Sequence, residues 1–347
     1  MPPTNLLTES LPGYRYRAMT DEDARLSEFW EQRMAPTLRL PTVCSFTDKP
    51  EGFGTEVHFV DTPEGCFVLR LYPTDSHARL RGYLSANRVF TRIGALVPAI
   101  LGTGRAEDLL WLVEKRVEGR TFRDLLGSTE DLARAAKALA EIHRNERSRY
   151  GEAGTWGGFR LTLRWRQRLP ERWGKIVRLF PELGSVTEEV ERWLYAWTDS
   201  FPSVRYQLLH GDYHPGNIAL TQEDRVALLD LRTPRYGMGL LELVEALHHF
   251  TGEDPENWVP FLSGYLRERG EETRTQFEAH SVSLHAVFHL RHADRFAGLA
   301  VGHRGGREDR RCWERNAYDS WLRFCTLTGI ASPDIEAIPE SAFQPCG

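Results

Sequence analysis

Two short apolar runs, "LLHGDYHPGNIAL" at 208–220 and "VALLDLR" at 226–232, carry the polar residues that most restrict what this 347-residue chain becomes. A turn between strands needs only the Pro215–Gly216 pair. Asp212 and Asn217, five residues apart, therefore require another reason. On a loop leaving a strand, a carboxylate and an amide at that spacing are able to face one cavity. The polar turn "TQEDR" and a second strand then bring in Asp230, thirteen residues after Asn217, at the end of "VALLD". An unpaired carboxylate there is costly. Asn217 and Asp230 form an oxygen-only donor pair suited to a hard cation such as Mg2+, which is usually shared with phosphates. Asp212 is left to act as base or to orient a hydroxyl. That is the inventory of phosphoryl transfer.

The rest of the chain divides by pattern, and its length allows one large or two smaller units. Thr20 with Asp23 makes a capping-box-like start and Pro36 a stop, so a helix is expected near 21–34. "TEVHFVDTPEGCFVLRLYP" reads as a hairpin around Pro-Glu-Gly. "HARLRGYLSANRVFTRIG" reads as a helix stopping at Gly94, and "VPAILGTG" and "LLWLVEKRV" as two further strands. After Gly119 the pattern becomes helical, first in "STEDLARAAKALAEIHRNE" and then, beyond "VALLDLR", to about residue 330. The expected class is α+β, with a small β-rich N-terminal lobe and a larger α-helical C-terminal lobe. Residues 1–40 form an extension with a helix, 41–116 the first lobe and 117–347 the second.

Composition narrows the setting. Hydrophobic residues at 41% and charged residues at 27% are ordinary for a globular protein. A formal charge of −5 does not by itself argue for or against nucleic acid. Five cysteines, odd in number and without a C-x-x-C, read as reduced thiols. The start has no secretory pattern, and no apolar run is long enough to span a membrane. A cytoplasmic protein with no nucleic-acid or membrane partner is expected.

"HGDYHPGN" followed by "LLD" resembles the aminoglycoside phosphotransferase and choline kinase group, relatives of the protein kinases, over roughly residues 45–330. The resemblance implies a two-lobed protein-kinase-like fold whose first lobe binds nucleotide. It also implies an ATP (or GTP)-dependent enzyme moving the γ-phosphoryl group to a hydroxyl of a small-molecule acceptor, with Mg2+ as cofactor. Asp212 is then the catalytic residue, and Asn217 and Asp230 the metal ligands. "EGFGTEV" lies where the family has its phosphate-covering hairpin, so Gly52, Gly54 and Thr55 approach the phosphates. Arg70 stands where the family carries a basic residue for those phosphates. The backbone of Glu114 and Arg116 is expected at the adenine edge. His210 and His214 are expected to brace the loop by hydrogen bonds.

Two departures from the family pattern stand out. The helix after Arg70 contains no acid to hold that cation, with Asn87 near the expected place. Arg70 is therefore expected to be loosely held until phosphates order it. The family's Gly-x-Pro-x-x-Asp element reads "YGMGLLELVEAL", with Gly239 for the proline and Glu242 for the aspartate.

For the acceptor, residues 281–325 hold eight arginines against five acids, with four histidines besides. Cationic aminoglycosides call for an acidic surface, so a neutral or anionic acceptor is expected. His285, His289 and His292 share a helical face and are read as packing or substrate contacts rather than zinc ligands. The tryptophans between 150 and 200 are read as core rather than an aromatic box for a quaternary ammonium. Two alternatives remain. One is a protein Ser/Thr kinase of the same superfold; His-Gly-Asp in place of His-Arg-Asp and the short stretch from Asp230 to Glu242 count against it. The other is a non-catalytic nucleotide-binding module, supported only by the missing helix glutamate.

Overall fold

The computed structural model describes residues 21–43, 45–48, 55–106, 109–125, 128–153, 161–200, 205–252, 255–302 and 307–333. They fall into two compact units, 1–80 with 99–116 and 81–98 with 117–347.

The first unit is built on an antiparallel sheet of β1 (Ser45–Asp48), β2 (Glu56–Thr62), β3 (Gly65–Pro73), β4 (Ile100–Ala106) and β5 (Leu109–Lys115), in the order β1-β2-β3-β5-β4. The central strand β3 is apolar along most of its length and buried on both faces, as a strand with neighbours on either side should be. One face is covered by α1 (Asp21–Phe29), a wide π-turn (Trp30–Met34) and α2 (Ala35–Leu38). Leu26, Trp30 and Met34 pack there against Val60, Phe67, Leu69, Leu71, Trp111 and Val113. Each such side chain, fully buried, stabilises by roughly 1.5–3 kcal/mol. Residues 21–38 thus supply part of this unit's core.

Pro36 does not stop the helical segment. The Ala35 N–H bonds back to the Trp30 carbonyl, and Pro36 falls in the first turn of α2, where its missing N–H leaves no helical bond unmade. The segment ends instead at Arg39, in left-handed conformation with φ 55°.

The helix α3 (His77–Arg92) is followed by Leu96, which forms a parallel bridge with Ala227, and the Leu228 N–H donates to the Leu96 carbonyl at 2.8 Å. The second unit contains β6 (Gly119–Thr121), α4 (Thr129–His143), β7 (Glu146–Arg147), β8 (Gly151–Glu152), α5 (Leu161–Leu179) and α6 (Thr187–Ser200). It continues through β9 (Tyr206–Leu209), β10 (Ile218–Thr221), β11 (Val226–Leu228) and β12 (Arg235–Gly237) to α7 (Gly239–Thr251), α8 (Pro255–Arg269), α9 (Glu271–Gly302) and α10 (Arg307–Thr328). Two small sheets, β11-β10-β6 and β7-β9-β12-β8, share the strands that flank the 210–217 loop. Ser128 caps α4 by accepting the Asp131 N–H at 3.0 Å, a contact worth about 1 kcal/mol.

Trp173 and Trp197 are buried in the core, as expected, and Trp193 is half-buried. Trp173 meets Trp321 at a tilt, with ring centroids 5.3 Å apart, and Trp193 lies between Trp197 and Phe324. The Trp173 indole N–H donates to Thr187 Oγ1 at 2.8 Å. Trp156 and the Trp165 side chain lie outside the described residues. No helix among the described residues is long and apolar enough to cross a membrane. The reading of uniformly reduced cysteines needs correction. Cys66 and Cys325 form no disulfide, whereas Cys312 is disulfide-bonded. Spacing along the chain carries no information about which thiols the fold brings together.

Candidate active site

The loop between β9 and β10 gathers the polar residues of the 208–220 stretch. Asn217 donates through Nδ2 to the Asp212 backbone carbonyl at 3.0 Å and to Asp212 Oδ2 at 3.2 Å. These bonds occupy the amide nitrogen and leave Oδ1 as the atom available to a cation. The Leu229 N–H donates to the Asn217 carbonyl at 2.8 Å, which places Asp230, the next residue, beside Asn217 at one end of the β10–β11 pair. Asp230 has φ 47°. That is the left-handed region, which aspartate enters more readily than most residues.

Each histidine of the loop has a different job. His214 Nδ1 accepts the Gly216 N–H at 3.1 Å, so it braces the turn as expected. Burial holds its imidazole below the usual value, against the pull of Asp212. His210 departs from expectation. It is fully buried, and its ring approaches the Leu229 backbone without a hydrogen bond of good geometry. Burial lowers its pKa, and its ring packs between Phe90 and Tyr213. It braces by shape.

Glu242 is the anchor of the loop. Its carboxylate accepts the His210 N–H at 3.1 Å and the Gly211 N–H at 2.6 Å. It also meets His143 Nε2 at 2.8 Å, while His143 Nδ1 meets the Tyr265 hydroxyl at 2.6 Å. Burial pushes this carboxyl up, but the His143 contact and the amide donor outweigh it and hold Glu242 below the usual range. Gly211 has φ 87°, which suits a residue without a side chain at this bend. The degenerate element is thereby explained. The Gly239 N–H donates to Gln207 Oε1 at 3.0 Å, a bond no proline makes. A Cβ at Gly239 would meet His143 Nδ1 at 2.9 Å.

Arg232 was invisible to sequence reasoning. Its guanidinium donates to Asp212 Oδ2 at 2.6 Å while remaining largely solvent-exposed. The only signal was its place two residues after Asp230, and a strand-end arginine gives no hint of a loop twenty residues back.

In the first unit the expectation for Arg70 is overturned. Arg70 is buried, and its Nε donates to Glu114 Oε1 at 3.0 Å, with Glu114 itself 1% exposed. The glutamate absent from the following helix is supplied by β5. Arg70 lies opposite Leu112 and Val68 opposite Glu114, so the two charges are diagonal neighbours on one face of the sheet. Asn87 plays no such part, since its Nδ2 donates to the Pro98 carbonyl at 2.7 Å. The backbone of Glu114 and Arg116, expected at the adenine edge, is tied into the sheet. The Arg116 N–H donates to the Cys66 carbonyl at 3.0 Å, and Glu114 sits in register between Val68 and Ile100. Both serve the sheet. Thr55 precedes β2, half-buried, while Gly52 and Gly54 lie outside the described residues.

His285, His289 and His292 lie in an aromatic cluster. His248 Nε2 is 3.0 Å from His285 Nδ1, Trp258 stacks on His285 at 4.6 Å and Phe288 on His248 at 4.0 Å. No group of three metal-ligating His, Cys, Asp or Glu side chains occurs among the described residues. Burial, reinforced by the neighbouring imidazoles, lowers His248 to about 2 and His292 to about 3; His285 and His289 fall to about 4. An unfolded histidine titrates near 6.5, so the unfolded chain binds more protons between those values. Stability should be intact above about pH 7 and decline as pH falls from 6.5 towards 4. Thermal melts of wild type and His248→Phe across that range check this. The variant should lose less stability on acidification, and identical slopes would remove the cluster as the cause.

The two units, a five-stranded antiparallel sheet and a helical unit carrying the Asp-Asn-Asp constellation, are those of a protein-kinase-like fold. A family model described as "Phosphotransferase enzyme family" matches residues 46–278, more than half of the chain, and the protein belongs to that family. Solved structures with this fold include a thermostable mutant of aminoglycoside phosphotransferase APH(4)-Ia in apo form, at 19% identity and a TM-score of 0.57, covering 88% of this chain and 100% of that one. A Plasmodium vivax ethanolamine kinase aligns at 14% identity and 0.54, covering 82% and 83%. The spectinomycin phosphotransferase APH(9)-Ia aligns at 13% and 0.51, covering 88% and 94%. At such identities the likeness establishes the fold. No curated protein sequence matches the chain.

Proposed function

We propose that this phosphotransferase moves the γ-phosphoryl group of ATP (or GTP) to a hydroxyl of a small, neutral or anionic molecule. The observation that carries the reading is the tie between Asp212, Asn217 and Asp230. The Asn217 side-chain amide holds Asp212 on the loop, and the bond from the Leu229 N–H to the Asn217 backbone carbonyl brings the chain just before Asp230 alongside Asn217. Asp212 orients the acceptor hydroxyl and takes its proton, which passes on to solvent. A bond forms from the acceptor oxygen to the γ-phosphorus as the bond to the β,γ-bridging oxygen breaks, and the nucleoside diphosphate leaves. Asn217 and Asp230 fit a Mg2+ ion, whose chemistry is to neutralise charge on the phosphate oxygens. Arg70, positioned by Glu114, and Thr55 with the Gly52–Gly54 segment are the proposed phosphate contacts of the first unit.

Structural neighbours support the pairing of nucleotide with small molecule: one holds AMP-PNP with hygromycin B, another ADP with spectinomycin. A protein-kinase reading has less room. After Asp230 the chain runs through residues 231–234 into the three-residue β12 and enters α7 at Gly239, leaving no long segment on which to seat a peptide.

The metal assignment is tested by Asp230→Ala, which removes an anionic ligand from a doubly charged ion. At saturating Mg2+, ATP should raise the Tm of wild type and leave that of the variant nearly unchanged. An equal shift in both proteins contradicts the assignment.

A further inference from the structure

Next to the Asp212 loop lies a cavity of about 220 Å3 whose lining includes Arg168, Arg172, Arg232, Arg235 and Arg291 and, among the described residues, two carboxylates, Glu242 and Glu245. Gly211 and Arg232 form its wall toward Asp212, and the Arg232 guanidinium contacts Asp212 Oδ2. The cavity is thus one side chain away from the proposed base. Neither carboxylate offers its charge to an occupant. Glu242 is saturated by the loop amides and His143. Glu245 is bound by Arg291 at 2.6 Å.

The arginines are not matched in the same way. Arg168 and Arg235 line the cavity without a carboxylate partner among the described residues, and Arg172 lies 3.9 Å from Asp294, which Lys175 approaches more closely at 3.4 Å. Burial and the nearby Arg291 push the Arg172 guanidinium below its usual value, with Asp294 pulling the other way, as expected where buried cations crowd together. A second cavity, of about 390 Å3 and lined by Asp212 itself, carries Arg123 and Arg295 and no other carboxylate among the described residues. Both approaches to Asp212 are cationic.

We infer that the acceptor is a small hydroxylated anion whose carboxylate or phosphomonoester is held by Arg168, Arg172 and Arg235 while its hydroxyl lies at Asp212. This rests on the phosphotransferase reading and narrows it to one charge class. Planar guanidinium groups match the paired oxygens of either anion through charge-assisted hydrogen bonds, and a cationic acceptor meets like charge at Arg168 and Arg235.

Calorimetric titration of glycerol 3-phosphate, glycerate, glycerol and hygromycin B into protein saturated with Mg2+ and AMP-PNP tests this, because the nucleotide keeps the probes out of its own phosphate site. The two anions should bind and glycerol should not, and the tighter anion identifies the group as phosphomonoester or carboxylate. Arg172→Gln or the more exposed Arg235→Gln should weaken anion binding by about tenfold or more. If AMP-PNP binds but no anion does, if hygromycin B binds more tightly than both anions, or if neither variant weakens them, the inference is overturned and the phosphotransferase reading stands. Failure of AMP-PNP itself to bind sinks the reading on which the inference rests.

Discussion

Asp212→Asn is expected to leave folding and nucleotide affinity nearly unchanged while kcat falls by roughly two to four orders of magnitude. The asparagine keeps an oxygen at the position where Asp212 accepts from Asn217 Nδ2 and Arg232, so the loop retains its shape. The backbone carbonyl bonded by Asn217 and the two amides held by Glu242 are untouched. What is lost is the ability to take the hydroxyl proton and the negative charge that orients it. Steady-state kinetics with an accepted substrate, beside calorimetry with AMP-PNP, separates the two effects. Wild-type turnover in the variant removes Asp212 from the chemistry. A fall in Tm or nucleotide affinity as large as the loss of turnover makes it a structural residue.

Arg70→Ala should be the most destabilising single substitution in the first unit. It strands Glu114, which is almost fully buried, and breaking one side of such a pair costs about 3–5 kcal/mol. Replacing both partners by apolar residues, as in Arg70→Met with Glu114→Leu, should recover most of that loss, since no unpaired charge remains. The double variant therefore reports on function with the fold largely intact. If Glu114 positions Arg70 against the nucleotide phosphates, the double variant binds ATP weakly and adenosine as wild type does. Unchanged ATP affinity makes the pair purely structural. A double variant as unstable as Arg70→Ala argues that the loss arises from packing rather than from the stranded carboxylate.

These two sites also mark how far the sequence was legible. The Asp212, Asn217 and Asp230 constellation was readable because its parts are local. They sit on one loop and at the end of the next strand, so spacing alone implies their meeting. Hairpins and helices around it were legible for the same reason, through period and turn residues. The Arg70 partner was not, because Glu114 lies 44 residues away and only the β3–β5 register makes the two diagonal neighbours. Arg232 was hidden likewise, an exposed arginine whose contact depends on how the chain turns after β11. Glu242 was half visible. Its place in the motif was noted, but its purchase on two consecutive amides needed the close approach permitted by Gly239. Pro36 misled for a local reason, since a proline in the first turn of a new helix resembles one that ends the old.

The central claim is that a phosphoryl group passes from nucleotide to a small-molecule hydroxyl under the control of Asp212. The direct measurement is mass spectrometry of a small-molecule extract of whole cells after incubation with the protein, Mg2+ and ATP labelled with 18O on the γ-phosphoryl group. One labelled phosphomonoester should accumulate with wild type and should disappear with Asp212→Asn and Asp230→Ala. Label appearing only in inorganic phosphate or on the protein chain, at a rate Asp212→Asn does not change, would contradict the account.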